Sequence, residues 1–145
     1  MQLSIVHIAI LGGWAADQGD NDPWIEADLL ENHYIYSVTV QGSVHSGRPK
    51  KFQIGTRRHA NSQNDMTGVY NGVSSDDQKR TISLPDRTLA RFVRIAIIID
   101  GYGHPALRWD VTGIKESKST PCWHAGIHIP THVYCLLLCG NTPFA

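Results

Sequence analysis

The stretch Trp24-Ile25-Glu26-Ala27-Asp28-Leu29 and the segment Tyr34 to Gln41 that follows it indicate the fold of this chain. In the second segment every other residue from Tyr34 to Val40 is apolar, and the residues between them are mostly polar. A period of two is typical of a β-strand that buries one face. We therefore predict a strand whose apolar face carries Tyr34, Tyr36, Val38 and Val40.

Four later segments carry related signals. Phe92 to Ile99 is the most apolar run of the chain, which predicts a buried central strand. Lys51 to Arg58 and Ala106 to Gly113 alternate as half-buried strands do. Thr81 to Leu84 also alternates, and Pro85 is expected to end that strand. The residues expected to face inward on the two half-buried strands are Phe52, Ile54, Thr56, Leu107, Trp109 and Val111.

Four blocks in this order resemble the discoidin domain, also called the coagulation factor V/VIII type C domain. They are W-I-x-x-D-L from Trp24, V-T-V-Q-G from Val38, A-R-F-V-R-I from Ala90 and A-L-R-x-D-V-T-G from Ala106. The resemblance runs from about Ala9 to Gly113. It implies an all-β fold, an antiparallel jelly-roll β-sandwich of the galactose-binding-domain type. It also implies a secreted or cell-surface binding module that is not an enzyme.

Composition limits the classes of function. The 145 residues carry a formal net charge of zero, which suits one globular domain and argues against a general nucleic-acid binder. The sequence contains no G-x-S-x-G, no phosphate-binding glycine loop with lysine and no H-E-x-x-H, so binding is favoured over catalysis. No run approaches the roughly twenty apolar residues of a membrane helix.

The resemblance also suggests how the chain is organised. Residues 1–114 would form a discoidin-like domain that lacks the family's usual first strand and first ligand-contacting loop. We interpret Ile5 to Leu11 as a strand rather than a signal peptide. Family members often end the last strand in a disulfide-bonded cysteine, but this chain has Ile114 there and no cysteine before Cys122. Residues 115–145 do not resemble the family and are expected to be poorly ordered.

Two groups of residues invite a metal interpretation. Loop 17–23 offers oxygen ligands for calcium but lacks the glycine and distal glutamate of a helix-loop-helix calcium site, so a solvated turn is favoured. The tail contains H-x-x-x-H-x-x-x-H, but Gly126 and Pro130 interrupt the helix that this spacing needs. No cofactor is therefore predicted, with calcium as the alternative. The odd set of cysteines leaves a free thiol or an intermolecular bridge: Cys122, Cys135 and Cys139.

Ligand-binding residues are expected in two loops that the resemblance places at one end of the sandwich. One apolar tip among several cations favours a sugar or anionic ligand over deep membrane insertion, because each cation near an anionic surface contributes only about 1 kcal/mol. The alternative is that these are solvated loop charges. The candidates in the first loop are Val44, His45, Arg48, Lys50 and Lys51. Those in the second loop are Asn64, Met66 and Tyr70, with Met66 and Tyr70 as exposed apolar side chains.

Structural roles are expected for Trp24, Asp28, Arg91 and Arg108. Trp24 offers a large apolar body for the core. Asp28 would be costly to bury alone, so it should pair with an arginine or accept hydrogen bonds from the backbone. The candidates are Arg91, Arg94 and Arg108, and the resemblance implies a comparable internal arginine.

The leading hypothesis is a non-catalytic extracellular binding or adhesion module. It would recognise a cell-surface glycan, an anionic phospholipid head group or a protein receptor through residues 43–51 and 61–71. The alternative is a structural domain of a larger protein that has no ligand of its own. A metal-dependent enzyme that uses the tail would instead require stoichiometric zinc.

Overall fold

The computed structural model describes residues 5–7, 13–43, 48–99 and 105–117, and all regular structure in these ranges is β-strand. The strands are β1 (Ile5–His7), β2 (Trp14–Ala15), β3 (Trp24–Gly42), β4 (Lys51–Arg57), β5 (Asp65–Met66), β6 (Tyr70–Asn71), β7 (Lys79–Ile98) and β8 (Ala106–Lys115). None of the described residues forms a helix of the length and apolarity that crossing a bilayer requires. The predictions about the tail from residue 118 onward lie outside the described residues.

One antiparallel sheet with the order β1-β8-β3-β7-β4-β5 folds over to make both layers. The first part of β3, residues 24–28, pairs with residues 92–96 of β7, and β4 continues this first layer. The second part of β3, residues 33–41, lies between β7 and β8 in the second layer. The two long strands therefore pass from one layer to the other, and the predicted all-β sandwich is confirmed.

Register breaks mark the places where the long strands bend. Pairing of β3 with β7 shifts between Asp28 and His33, and Leu30 between them has φ 68°, a left-handed conformation that leucine rarely adopts. Pro85 does not end its strand as predicted. Ser83 and Thr88 are the nearest β7 residues paired with β3, so the missing N–H of Pro85 falls in an unpaired bulge and costs the sheet no ladder bond.

The predicted alternation from Tyr34 to Val40 is wrong at Tyr36. Register shifts between Ile35 and Ser37, and this bulge inserts an extra residue into the strand. Ile35 and Val38 consequently face the core, whereas Tyr36 is 48% exposed.

A core of buried apolar side chains fills the space between the layers. Burial of each large apolar side chain contributes about 1.5 to 3 kcal/mol, so the core fixes the strands whose ends carry the loops. The predicted inward faces of β4 and β8 are confirmed, since Phe52, Ile54, Leu107, Trp109 and Val111 all belong to this core. Other members from both layers are Ile35, Val38, Val40, Val93, Ile95 and Ile97.

Trp24 does not lie in the core, contrary to the prediction. Its side chain is on the outer face of the first layer, and the residue is 47% exposed. Neighbouring strand residues face opposite ways, and here Ile25 and Ala27 pack against the core while Leu29 belongs to it. Trp24 must therefore share the outer face with Glu26 and Asp28.

Asp28 pairs with Arg91 as predicted, but on the surface. The Nε and Nη2 groups of Arg91 donate to the two carboxylate oxygens of Asp28 at 2.7 and 2.8 Å. The Asp28 side chain is 37% exposed, and it also accepts from the backbone N–H of Leu30 at 2.8 Å. Arg108 instead donates to the backbone oxygens of Gly42 and Asp76, at 3.1 and 3.2 Å.

The pair formed by Asp28 and Arg91 predicts how stability changes in acid. Hydrogen bonds from Arg91 lower the pKa of Asp28 from 3.8 to about 2. Because the folded-state pKa is depressed, the pair contributes stability above pH 3.8, and this contribution is lost as the pH falls toward 2. We expect the difference in melting temperature between wild type and Asp28→Asn to shrink over that range. A difference that stays constant in melts across it would contradict this origin.

Candidate functional site

One end of the sandwich carries an open cleft. The described residues between β3 and β4, 43 and 48–50, lie at this end, and residues 72–78, which join β6 to β7, lie beside them. The cleft between these two loops has a volume of about 670 Å³ and is open to solvent. We call this end of the molecule the cleft end. The polar residues that line the cleft are Arg48, Lys50, Asn71, Ser74, Asp76 and Gln78.

A glycine lets the two loops approach closely. The N–H of Gly72 donates to the carbonyl of Lys50 at 2.6 Å, and the N–H of Val73 donates to that of Pro49 at 3.2 Å. A Cβ atom on Gly72 would collide with the carbonyl oxygen of Pro49. Pro49 and Val73 are buried, so they anchor the floor of the cleft while the polar residues beside them stay accessible.

The polar side chains of the cleft hold one another in place. Arg48 donates from Nε to Asp76 Oδ1 at 2.7 Å and from Nη1 to the carbonyl of Ser74 at 2.8 Å. Gln78 Oε1 accepts from the backbone N–H of Ser74 at 2.6 Å and from its hydroxyl at 2.8 Å. A guanidinium donor and a carboxylate acceptor therefore lie side by side, an arrangement that suits groups able to both donate and accept.

The structure brings only some of the predicted ligand-binding residues together. Arg48 and Lys50 line the cleft, and Lys51 pairs with Asn71 at its edge. Tyr70 is half-buried, with its ring centroid 5.8 Å from that of Phe52, so the prediction that it is an exposed apolar tip is wrong. The predictions for Val44 and His45 fall outside the described residues.

Asn64 and Met66 lie away from the cleft. Met66 is exposed as predicted, and it pairs with Gly55. Gly55 is four residues along β4 from Lys51, which corresponds to about 14 Å at the rise of an antiparallel strand. The segment from Asn64 to Asn71 runs along the edge of β4. Its start therefore lies beside Gly55, and its end lies beside Lys51 at the cleft.

Sequence reasoning missed the second wall of the cleft. Ser74, Asp76 and Gln78 come from a polar segment that gives no indication of which side chains converge. Asp76 accepts a hydrogen bond from Arg48, which lies 28 residues earlier in the sequence. The local signal that could have indicated the contact is Gly72, because a glycine beside a short strand often marks a close backbone approach.

The described residues contain no group of three or more His, Cys, Asp or Glu side chains that could hold a metal ion. Loop 17–22 is an exposed turn, as predicted, in which the N–H of Asp22 donates to Asp20 Oδ1 at 3.0 Å. The histidines and cysteines of the tail lie outside the described residues.

A family model described as the F5/8 type C domain matches residues 7–111. The chain belongs to the F5/8 type C domain family. Such domains are non-catalytic binding modules, and the resemblance stated from the four sequence blocks is confirmed. Comparison with curated protein sequences gave no significant match.

Several solved structures share the fold of this F5/8 type C domain. A fucolectin from the serum of striped bass, Morone saxatilis, is 21% identical with a TM-score of 0.57, and the match covers 77% of this chain and 36% of that one. The C-terminal domain of a Bacteroides fragilis chitobiase is 17% identical with a TM-score of 0.55, and the match covers 66% of each chain. This chain therefore spans about a third of the fucolectin and just under two thirds of the chitobiase domain.

A third structure is the Clostridium perfringens protein CpGH89CBM32-5 in complex with GalNAc-β-1,3-galactose. It is 14% identical with a TM-score of 0.61, and the match covers 74% of this chain and 94% of that one. At such identities these likenesses establish the fold alone.

Proposed function

We propose that this F5/8 type C domain is a carbohydrate-binding module that recognises sugar hydroxyls in the cleft. The observation that carries the proposal is the adjacent guanidinium of Arg48 and carboxylate of Asp76, 2.7 Å apart in an open cleft. A sugar hydroxyl can donate and accept at once, so neighbouring hydroxyls suit such a pair. The amides of Asn71 and Gln78 extend the same mixed character along the lining.

Proteins of the same fold support the choice of ligand class. They include a fucolectin, a module in complex with GalNAc-β-1,3-galactose and a fucose-binding module from Streptococcus pneumoniae. We extend carbohydrate binding from these proteins to this chain because its cleft offers polar groups of both kinds. A secreted or cell-surface location and a role in adhesion are part of the same proposal.

An anionic phospholipid head group is a less favoured ligand. It would have to compete with Asp76 for the guanidinium of Arg48, whereas a hydroxyl can interact with both groups. A domain with no ligand of its own remains the second candidate, since the charges of the cleft are already paired within the protein.

The test compares wild type with the combined variant Arg48→Ala, Lys50→Ala and Lys51→Ala on an array of glycans and on phosphatidylserine vesicles. We expect wild type to bind a subset of glycans and the variant to lose at least about tenfold in affinity, because removing donors from a polar site leaves its partners unpaired. The matched control removes three exposed cations away from the cleft, Arg58, Arg87 and Lys115, and should bind as wild type does.

The possible outcomes separate the candidate functions. Equal binding by wild type and the cleft variant would exclude the cleft as the site. Binding to the vesicles but to no glycan would favour a lipid ligand. An absence of binding to every glycan and vesicle would favour the domain without a ligand.

A further inference from the structure

We propose that a bound oligosaccharide extends from the cleft across the outer face of the first layer to a second contact formed by Trp24 and Arg94. This inference rests on the proposed function, because it assumes that the cleft holds one end of the sugar chain. The inference starts from Trp24, which is exposed and lies outside the core.

Trp24 presents an aromatic surface in an unusual setting. The residue is 47% exposed, although tryptophan is one of the side chains that gains most from burial. The guanidinium carbon of Arg94 lies 3.7 Å from the centre of its ring. A stacked cation of this kind stabilises the orientation of the ring, so Trp24 is held in one position while much of it remains accessible.

Charged residues behind Trp24 keep Arg94 in place. Arg94 Nε donates to Glu26 Oε2 at 2.9 Å, and the other oxygen of Glu26 accepts from Arg57. The Glu26 and Arg57 side chains are each only 11% exposed, and the guanidinium of Arg57 lies over the ring of Phe92. A ligand would therefore meet a preformed surface and would lose little free energy in ordering it.

The strand register connects this surface to the cleft. Trp24 pairs with Ala96, which pairs with Gln53 on β4. Lys51, two residues before Gln53 on β4, pairs with Asn71 at the edge of the cleft. Strand spacing and rise place Trp24 about 16 Å from Asn71 on the same outer face.

The residues between the two contacts on this face are Ala96, Gln53 and Lys51. Ala96 contributes only a methyl group next to Trp24. The Gln53 amide is fixed by donating to the carbonyl of Thr67 at 2.9 Å. An oligosaccharide could follow the outer face from Asn71 to Trp24 along these residues.

A sugar ring suits this surface better than a protein does. The C–H face of a pyranose can pack against the accessible part of the indole ring, and its hydroxyls can accept from the guanidinium stacked on that ring. A protein interface needs about 800 Å² on each side with an apolar centre. Here the side chains around Trp24 are mutually paired charges, namely Glu26, Arg57 and Arg94, so the surface lacks the apolar centre of a stable protein interface.

The test measures affinity by calorimetry for GalNAc-β-1,3-galactose and fucose-terminated saccharides, each in a short form and in a form extended by further sugar units. We expect the extended forms to bind wild type about tenfold more tightly than the short forms. Trp24→Leu, which keeps an apolar side chain but removes the flat ring, should lose this gain without changing affinity for the short forms. Trp24→Tyr should retain part of it.

Tyr36→Ala is the matched control, because Tyr36 is an equally exposed aromatic residue in the other layer. Its affinities should equal those of wild type, and melting curves of all variants establish that they fold. A gain with chain length that survives Trp24→Leu, or no gain at all, would overturn the second contact and leave the cleft intact. Failure of wild type to bind either form of either sugar would overturn the proposed function for these sugars and the inference with it. Binding of a protein but not of longer sugars at Trp24 would also overturn it.

Discussion

Replacing Gly72 with alanine is expected to lower the free energy of unfolding by about 3 kcal/mol and to abolish glycan binding. A Cβ atom at this position would collide with the backbone carbonyl of Pro49, so the loops on the two sides of the cleft would have to separate. The separation would break the hydrogen bond from Gly72 to Lys50. It would also move Arg48 away from Asp76, because these residues lie on opposite loops.

The matched control for Gly72→Ala is Gly68→Ala. An added Cβ on Gly68 would meet no atom within 4 Å, so this variant should unfold and bind as wild type does. Urea denaturation and calorimetric titration measure the two effects. If Gly72→Ala matched Gly68→Ala in both, the described contact between the two loops could not be what forms the cleft.

Glu26→Gln is expected to lower the free energy of unfolding by about 3 kcal/mol, because removing one member of a largely buried ion pair leaves its partners uncompensated. Glu26 accepts from both Arg57 and Arg94. Its side chain is 11% exposed, and so is that of Arg57. Loss of the carboxylate should also free Arg94 to leave the ring of Trp24.

Asp28→Asn provides the comparison for Glu26→Gln in the same strand and on the same face. Asp28 also pairs with an arginine, but its side chain is more than three times as exposed as that of Glu26. Exposed ion pairs contribute at most about 1 kcal/mol to stability, so urea denaturation of Asp28→Asn at neutral pH should show a small loss, well below that of Glu26→Gln. Equal losses for the two variants would show that burial does not govern the strength of these pairs.

The strands could be predicted because their periodicity is a local property of the sequence, whereas the jelly-roll arrangement was implied by the resemblance of the four blocks. Alternation identified the inner faces of β4 and β8, where the strands are regular. It failed at Tyr36 and Pro85, because the bulges there arise where the sheet bends and pairs with distant residues. It also failed at Trp24, since adjacent apolar residues leave open which of them faces inward, and here Ile25 packs against the core.

Only one of the two loops that line the candidate site could be predicted, because contacts between residues distant in sequence are not a local property. Arg48 and Lys50 were found because they belong to a conspicuous basic loop. Asp76 and Gln78 were not, because their positions follow from the return of the chain between β6 and β7. The opposite error occurred for Met66, which is near Tyr70 in sequence but pairs with a different part of β4.

The most direct test of a sugar site in the cleft is to map amide chemical shifts by NMR during titration with the tightest-binding glycan of the array. The proposal predicts saturable changes at residues 48–51 and 71–78, reaching Trp24 when the sugar is extended. Changes confined to the opposite end, around residues 29–33 and 58–62, would contradict a binding site in the cleft.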